Sequence, residues 1–150
     1  MKDKPPRNAA VMRFFNEIGI IEQLARNRVE RRLPYGLKIS QFSVLNHFVR
    51  LQRVSSPARL AAAFQVTKGA MTNTLARLEN LGFVEIRPDE SDGRAKLVDI
   101  TDAGVAAHGE CIAAFAPDFV EFVEHIGIER VEAALPLLEE VRKYLDENRT

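Results

Sequence analysis

The sequence of residues 92–104 is DGRAKLVDITDAG, and it follows the run FVEIRP at residues 83–88. Both runs are short and rich in β-branched and apolar residues, and the proline and the Asp-Gly pair between them are typical of a turn. They therefore predict an antiparallel hairpin. Ile100 and Thr101, at the end of the second run, are placed as the apolar residue and the N-cap that begin a helix.

Two short amphipathic helices are predicted before the hairpin. Ser56 caps the first, over residues 57–64, and Thr67 caps the second, over residues 68–81. Gly82 supplies the left-handed residue that commonly ends a helix. A helix, a short turn, a second helix and a hairpin, in this order, form an arrangement suited to reading duplex DNA.

Longer helices are predicted on both sides of this module. Apolar residues at helical spacing indicate a helix over residues 8–33, and Ser40 is expected to cap another that stops near Arg53. Two further helices are predicted after the hairpin, over residues 103–126 and 128–145.

Proline interrupts each of the last two helices, so a kink is expected near residues 113–117 and a bend or break at Pro136. The first helix and the last two carry wide apolar stripes. A second copy of the chain is the commonest partner for such stripes, and the alternative is that the helices fold back over the same monomer.

The composition excludes several classes of protein. The 150 residues are 46% hydrophobic, and Cys111 is the only cysteine, so an internal disulfide is excluded and a reducing cytoplasm is the expected location. The N-terminus has no apolar signal-peptide core, and no apolar run approaches the ~20 residues that span a bilayer, so no membrane partner is expected. Because no nucleophile motif, phosphate-binding glycine loop or acid–base pair is found, neither an enzyme nor a cofactor is expected.

The net charge of +0 hides an uneven distribution. Residues 1–33 hold 8 Lys and Arg against 4 Asp and Glu, residues 34–100 hold 9 against 6, and residues 101–150 hold 4 against 11. A basic first two-thirds and an acidic last third indicate a molecule with one face toward a polyanion. Ordinary compositional drift is the alternative.

The second helix of the pair has the character of a recognition helix. Its buried side centres on Met71, and Gly69 and Asn73 lie on the opposite side, where a small residue admits the backbone to base edges and an amide pairs with adenine. The remaining candidate DNA contacts on this helix are Lys68, Thr72 and Arg77. The alternative is an ordinary polar helix face. The order of caps, helices, terminating glycine and hairpin favours a DNA-recognition helix over this alternative.

Arg94 is the main candidate in the wing, with Lys96 in support. Asp92 is expected to accept a hydrogen bond from Arg94 and to orient its guanidinium toward a narrow minor groove, where the potential is most negative. Contacts to the DNA backbone are predicted at the helix-capping hydroxyls of Ser40, Ser56 and Thr67.

The whole chain, in element order, resembles the MarR family of bacterial transcription regulators. The resemblance is most specific in LARLENLGFVEIRPDESDGR, residues 75–94, and in the Asp92-x-Arg94 wing that runs on to Gly104. It implies a mainly α fold with a small β-hairpin wing, in which a winged helix-turn-helix lobe at residues 34–101 is flanked by helical dimerisation regions at residues 1–33 and 102–150.

The resemblance also implies a homodimer on double-stranded DNA and frequent control by small, often phenolic, ligands. Two recognition helices related by a two-fold axis predict a pseudo-palindromic operator, and a repressor is the expected role. Aromatic and aliphatic residues expected to line a ligand cleft between the lobes are Phe14, Ile18, Tyr35, Phe48 and Phe115, although core packing explains each one singly. Asn73 departs from the basic residue that many members have, so operator preference does not carry over.

No metal site is predicted. His108 and Cys111 share a helix face, and His47 is placed to approach them, but this pattern is more typical of a core histidine beside a buried thiol. Some members of the family sense peroxides through a cysteine in the first helix, whereas Cys111 lies in the fifth. A winged-helix module for protein docking, without a DNA target, is the second functional hypothesis, and the basic first two-thirds of the chain argues against it.

Overall fold

A computed structural model of the chain describes residues 7–149. Its elements are α1 (Arg7–Arg32), a 3₁₀ turn (Pro34–Gly36), α2 (Ile39–Leu51), α3 (Pro57–Phe64), α4 (Lys68–Asn80), β1 (Val84–Asp89), β2 (Asp92–Ile100), α5 (Asp102–Ile126) and α6 (Ile128–Glu147). The prediction of a mainly α fold with a small β-hairpin wing is confirmed. The helix-turn-helix pair is α3 and α4, and the wing is β1 and β2.

The wing is an antiparallel pair whose register runs from Val84 opposite Ile100 to Pro88 opposite Lys96, followed by an irregularity between Pro88 and Asp89. The predicted Asp-Gly turn is wrong, because Asp92 already belongs to β2 and the chain reverses at residues 90 and 91. The reason is local hydrogen bonding. The Asp89 carboxylate accepts bonds from both the N–H and the hydroxyl of Ser91, at 3.0 and 2.7 Å, which favours a turn one step earlier.

A third short segment adds to the hairpin. Ser55 exchanges two backbone hydrogen bonds with Val98, at 3.0 and 2.9 Å, immediately before the start of α3. Ser55 is buried at this point. The bridge fixes the start of α3 against β2, so that the helix pair and the wing are held together through the backbone.

Three of the four predicted N-caps are confirmed. Ser56 accepts from the N–H of Arg59 at 3.2 Å, and Thr67 accepts from the N–H of Ala70 at 3.1 Å. Thr101 accepts from the N–H of Gly104 at 3.0 Å and donates its own hydroxyl to the carbonyl of Gly82. These bonds satisfy N–H groups that a helix start otherwise leaves unpaired.

The prediction that Ser40 caps α2 is wrong. The helix begins at Ile39, and its N-cap residue is Lys38, whose N–H donates to the Gln41 side chain at 2.8 Å. The N–H of Ile39 donates to the Glu30 carboxylate of α1 at 3.0 Å. Because these two side chains satisfy the first N–H groups, the chain enters the helix before Ser40, which lies exposed in the first turn.

The core of the winged-helix lobe lies between α2, α3, α4 and the wing. Its fully or almost fully buried side chains are Leu37, Val44, Leu45, Phe48, Leu60, Met71, Leu75, Leu78 and Val98. The buried side predicted for the second helix of the pair is therefore confirmed. Gly82 follows α4 with φ +77°, a conformation that glycine adopts without a steric penalty.

The chain divides into two compact units, with the boundary between Ala114 and Phe115, inside α5. In the second unit Phe115 is buried and its ring packs edge-on against Phe119 at 5.9 Å. Pro117 and Pro136 lie inside α5 and α6, and neither helix is split. A proline removes one ladder hydrogen bond, and the helix continues on both sides of it. No helix within residues 7–149 is long and apolar enough to cross a membrane.

Candidate nucleic-acid interface

A cleft of about 290 Å³ lies where the start of α3, the first turns of α4 and the wing meet. It brings together residues that are far apart in the chain, and those that the sequence had singled out are Ser56, Lys68, Thr72, Arg94 and Lys96. Pro57, Ala58 and Ala95 complete the lining. The cleft therefore carries three cationic side chains over two hydroxyl groups, a combination suited to a phosphate backbone.

The orientation of α4 follows from its buried side. Because Met71, Leu75 and Leu78 are almost fully buried, Gly69 and Asn73 on the other side of the helix are exposed. A Cβ added at Gly69 would meet no atom within 4 Å, so the backbone there is open to an approaching molecule. The outer face of α4 is therefore exposed and open at Gly69, as the insertion of a helix into a DNA groove requires.

Thr72 has less hydrogen-bonding freedom than its exposure suggests. Its hydroxyl donates to the carbonyl of Lys68, one turn earlier in α4, at 2.8 Å. The proton is therefore used within the helix, and the oxygen remains an acceptor. The methyl group and the lone pairs are what Thr72 offers to a partner.

Asp92 contacts Arg94 through the backbone. Its carboxylate accepts from the N–H of Arg94 at 3.2 Å, rather than from the guanidinium as the sequence had suggested. Arg94 itself is exposed. Asp92 thus fixes the backbone at Arg94 and does not bind its guanidinium.

Arg77 has a structural partner that the sequence did not indicate. Its guanidinium donates to the backbone carbonyl of Tyr35 at 3.1 Å, which ties α4 to the 3₁₀ turn between α1 and α2. Tyr35 has the left-handed φ of 62°, and its hydroxyl donates to the carboxylate of Glu110 on α5. Its ring packs edge-on against Phe83 at 5.1 Å. Helix α4 is therefore linked through Tyr35 to the long helix α5.

The chain is similar to known proteins in both sequence and fold. Residues 35–95 match the model of the MarR family. The multiple antibiotic resistance protein MarR of Escherichia coli is 32% identical over 106 residues, which are 65% of this chain and 73% of that protein. The chain belongs to the MarR family. A transcriptional regulator of Mycobacterium leprae of the helix-turn-helix type is 31% identical over 84 residues, 56% of this chain and 58% of that protein.

Two solved structures resemble this MarR-family chain over most of its length. The transcriptional regulator BldR of Sulfolobus solfataricus is 26% identical, with a TM-score of 0.79 over 95% of this chain and 99% of that one. A cysteine-to-serine mutant of E. coli MarR, in complex with operator DNA, is 26% identical, with a TM-score of 0.73 over 91% of this chain and 98% of that one. The relatives are regulators that carry a winged helix-turn-helix.

The residues predicted to bind a ligand occupy different environments in this MarR-family chain. Phe14 and Ile18 are half-buried on α1, Phe48 is 1% exposed within the core, and Phe115 belongs to the second unit. Tyr35 is exposed, and its hydrogen bond to Glu110 raises the pKa of its hydroxyl. The hydroxyl therefore stays protonated at neutral pH.

His47 and His108 contact other side chains, and Cys111 is buried. His108 hydrogen-bonds the side chain of Asn46 at 2.9 Å and stacks on Phe42, while the ring of His47 packs against Phe64. Cys111 is fully buried, and burial raises the pKa of its thiol to about 11. A thiol that stays protonated is a poor nucleophile. Among the described residues, no three potential ligands converge as a metal site requires.

Proposed function

We propose that this protein is a sequence-specific DNA-binding transcription regulator that acts as a homodimer, with α4 in the major groove and the wing in the adjacent minor groove. The observation that carries the proposal is the cleft between α3, α4 and the wing. Lys68 and Thr72 of α4 face Arg94 and Lys96 of β2 across it, beside the capped start of α3. The operator complex of E. coli MarR, a protein of the same fold, supports this assignment.

The roles within the interface follow from position. Asn73 and Gly69 on the outer face of α4 meet base edges, and Arg94 enters the minor groove. Lys68, Lys96 and the hydroxyl of Ser56 are placed for the sugar–phosphate backbone. Thr67 and Arg77 act mainly by holding α4, since the hydroxyl of Thr67 caps the helix and the guanidinium of Arg77 binds the turn at Tyr35.

The charge distribution supports the same orientation. Residues 34–100, which contain α2 to β2, hold three more cationic than anionic side chains, and residues 101–150 hold seven more anionic ones. A basic winged-helix lobe attracts a polyanion, and an acidic C-terminal part is repelled by it. This bias steers the lobe rather than the C-terminal helices toward DNA.

The proposal of a homodimer rests on exposed apolar side chains in the flanking helices. On α1 these are Val11, Met12, Phe15, Ile20, Ile21 and Leu24, and on α5 and α6 they include Phe119, Val120, Phe122, Leu135, Leu137, Leu138 and Leu145. Apolar surface of this amount is unusual on a monomer and marks an interface. A second copy of the chain, related by a two-fold axis, covers the same stripes on both subunits at once.

Repression and ligand control complete the proposal. A solved relative described as the multiple antibiotic resistance repressor MarR, 28% identical over 84% of this chain with a TM-score of 0.69, supports a repressor. The proposal includes a cytoplasmic location. For a small aromatic ligand, Tyr35 offers exposed aromatic surface at one end of the link to Arg77, and Phe14 and Ile18 offer half-buried apolar surface on α1. A ligand that displaced Tyr35 would act on α4.

Replacing Asn73 with alanine should change which operators are bound more than how tightly DNA is bound overall. Loss of a bidentate amide–adenine contact costs about 1–3 kcal/mol of discrimination at one base position. Duplexes selected from a random pool by the Asn73→Ala variant should therefore lose their preference at that position. Asn80→Ala is the matched control, because Asn80 lies at the far end of α4, away from the N-terminal turns that meet bases. Equal weakening on all sequences would make Asn73 a backbone contact.

A further inference from the structure

A second cleft, of about 310 Å³, lies on another side of α3. It is lined by His47 of α2, by Arg53, Val54 and Ser55 of the segment between α2 and α3, and by Arg59 and Ala63 of α3. Two guanidinium groups, an imidazole and a hydroxyl thus converge, and no residue of the lining is acidic. These side chains are separated in sequence by up to 16 positions and meet only in the fold. All four groups are potential hydrogen-bond donors.

The cationic side chains of this cleft are not neutralised within the protein. Within residues 7–149, neither the guanidinium of Arg53 nor that of Arg59 forms a hydrogen bond or an ion pair. The charge of Arg59 acts on the carboxylate of Asp89 in the wing, and that carboxylate is itself engaged in two hydrogen bonds from Ser91. Two unpaired cations beside each other are stabilised by an anion between them.

His47, which also lines the cleft, is affected by the charge of Arg53. Burial is the main cause that lowers its pKa, and the neighbouring charges of Arg50 and Arg53 lower it further. The imidazole is therefore neutral at neutral pH and still offers one N–H donor. An anion bound in the cleft would offset the charge of Arg53 and raise the pKa of His47.

We propose that this cleft binds a phosphate group of the DNA backbone, so that Arg53 and Arg59 form a second, sequence-independent contact outside the α4 cleft. Its position favours the duplex as the source of the phosphate. Ser55 in this cleft and Ser56 in the α4 cleft are consecutive residues, and the charge of Arg59 acts on Asp89 at the end of β1. A phosphate backbone that follows the α4 cleft toward the wing is therefore expected to pass close to this second cleft. The inference rests on the proposed function.

The test is the salt dependence of duplex affinity, measured with the full chain. Each phosphate contact contributes about 0.9 to the slope of log affinity against log salt concentration. Because the homodimer carries this cleft twice, the Arg53→Ala/Arg59→Ala double variant should lower the slope by about 1.8 and weaken all duplexes alike, by about tenfold or more at physiological salt. Arg50→Ala removes a neighbouring charge that does not line the cleft, and it should leave the slope almost unchanged.

A second readout separates the two sources of phosphate. The NMR signals of the His47 ring should shift when stoichiometric duplex is added, and inorganic phosphate should reproduce the shift only at millimolar concentration. Tight saturation by inorganic phosphate, with an unaltered salt slope in the double variant, would assign the cleft to a free anion and overturn the proposal.

The outcomes distinguish this inference from the proposed function. A wild-type chain that binds no duplex would contradict both. Normal duplex binding by the wild type, combined with a full salt slope in the double variant or an equal loss in Arg50→Ala, would contradict the second contact alone.

Discussion

Arg94→Ala should weaken operator binding by about ten- to a hundredfold, the largest loss expected from a single side chain of the interface. Arg94 is exposed at the wing, lines the cleft shared with Lys68 and Thr72, and has its backbone fixed by Asp92. An arginine in a narrow minor groove lies where the negative potential of DNA is greatest, and alanine removes that contact entirely. Titration of an operator duplex at physiological salt measures the loss.

The matched control for this variant is Arg87→Ala. Arg87 is also exposed in the hairpin, but it lies on β1 opposite Leu97 and does not line the cleft. It removes the same charge from the same element, so its effect on affinity should be small. Neither variant should change the subunit assembly or the midpoint of thermal unfolding. An unchanged affinity in Arg94→Ala, or an equal loss in Arg87→Ala, would remove the wing from the proposed interface.

Gly104→Ala should lower the free energy of unfolding by about 3 kcal/mol, the largest effect expected on stability from adding one methyl group. Gly104 is buried in the first turn of α5, where a Cβ would overlap the carbonyl oxygen of Phe83 and lie 2.8 Å from Cγ1 of Ile100. The Phe83 carbonyl cannot simply move, because it accepts the N–H of Thr101 at 3.1 Å. The clash therefore falls on the junction between the wing and α5.

Gly109→Ala, in the same helix, is the control for this prediction. A Cβ at Gly109 would meet no atom within 4 Å, so alanine should stabilise the protein by about 0.4–1 kcal/mol through its higher helix propensity. Denaturant unfolding of both variants gives the two free energies. Equal stability of Gly104→Ala and the wild type would show that α5 is not packed against Phe83 as described.

Local chemistry made much of the fold predictable from the sequence. Ser56, Thr67 and Thr101 cap the helices that they precede, because a hydroxyl and its target N–H lie within three residues of each other. The buried side of α4 followed from helical periodicity alone. Ser40 does not cap α2, because the side chains of Gln41 and Glu30 already accept hydrogen bonds from the first N–H groups of the helix. Glu30 lies on another helix, so its role is not visible in the local sequence.

The parts of the interface that could not be predicted depend on long-range contacts. Arg77 binds a carbonyl 42 positions away in the chain, and Ser55 pairs with a strand that begins after α4. The basic cleft at Arg53 and Arg59 also arises only when α2 and α3 pack together. Sequence periodicity and capping rules carry no information on these pairings. The DNA contacts that the sequence predicts for α4 and the wing stay predictions.

The most direct measurement of the central claim is the selection of bound sequences by the wild-type protein from a pool of random duplexes. Two recognition helices related by a two-fold axis contact half-sites about one helical turn apart, about 10–10.5 base pairs from centre to centre. The selected duplexes should therefore contain two inverted half-sites at this spacing. A pool without enrichment, or enrichment of a single asymmetric half-site, would contradict a dimeric DNA-binding regulator.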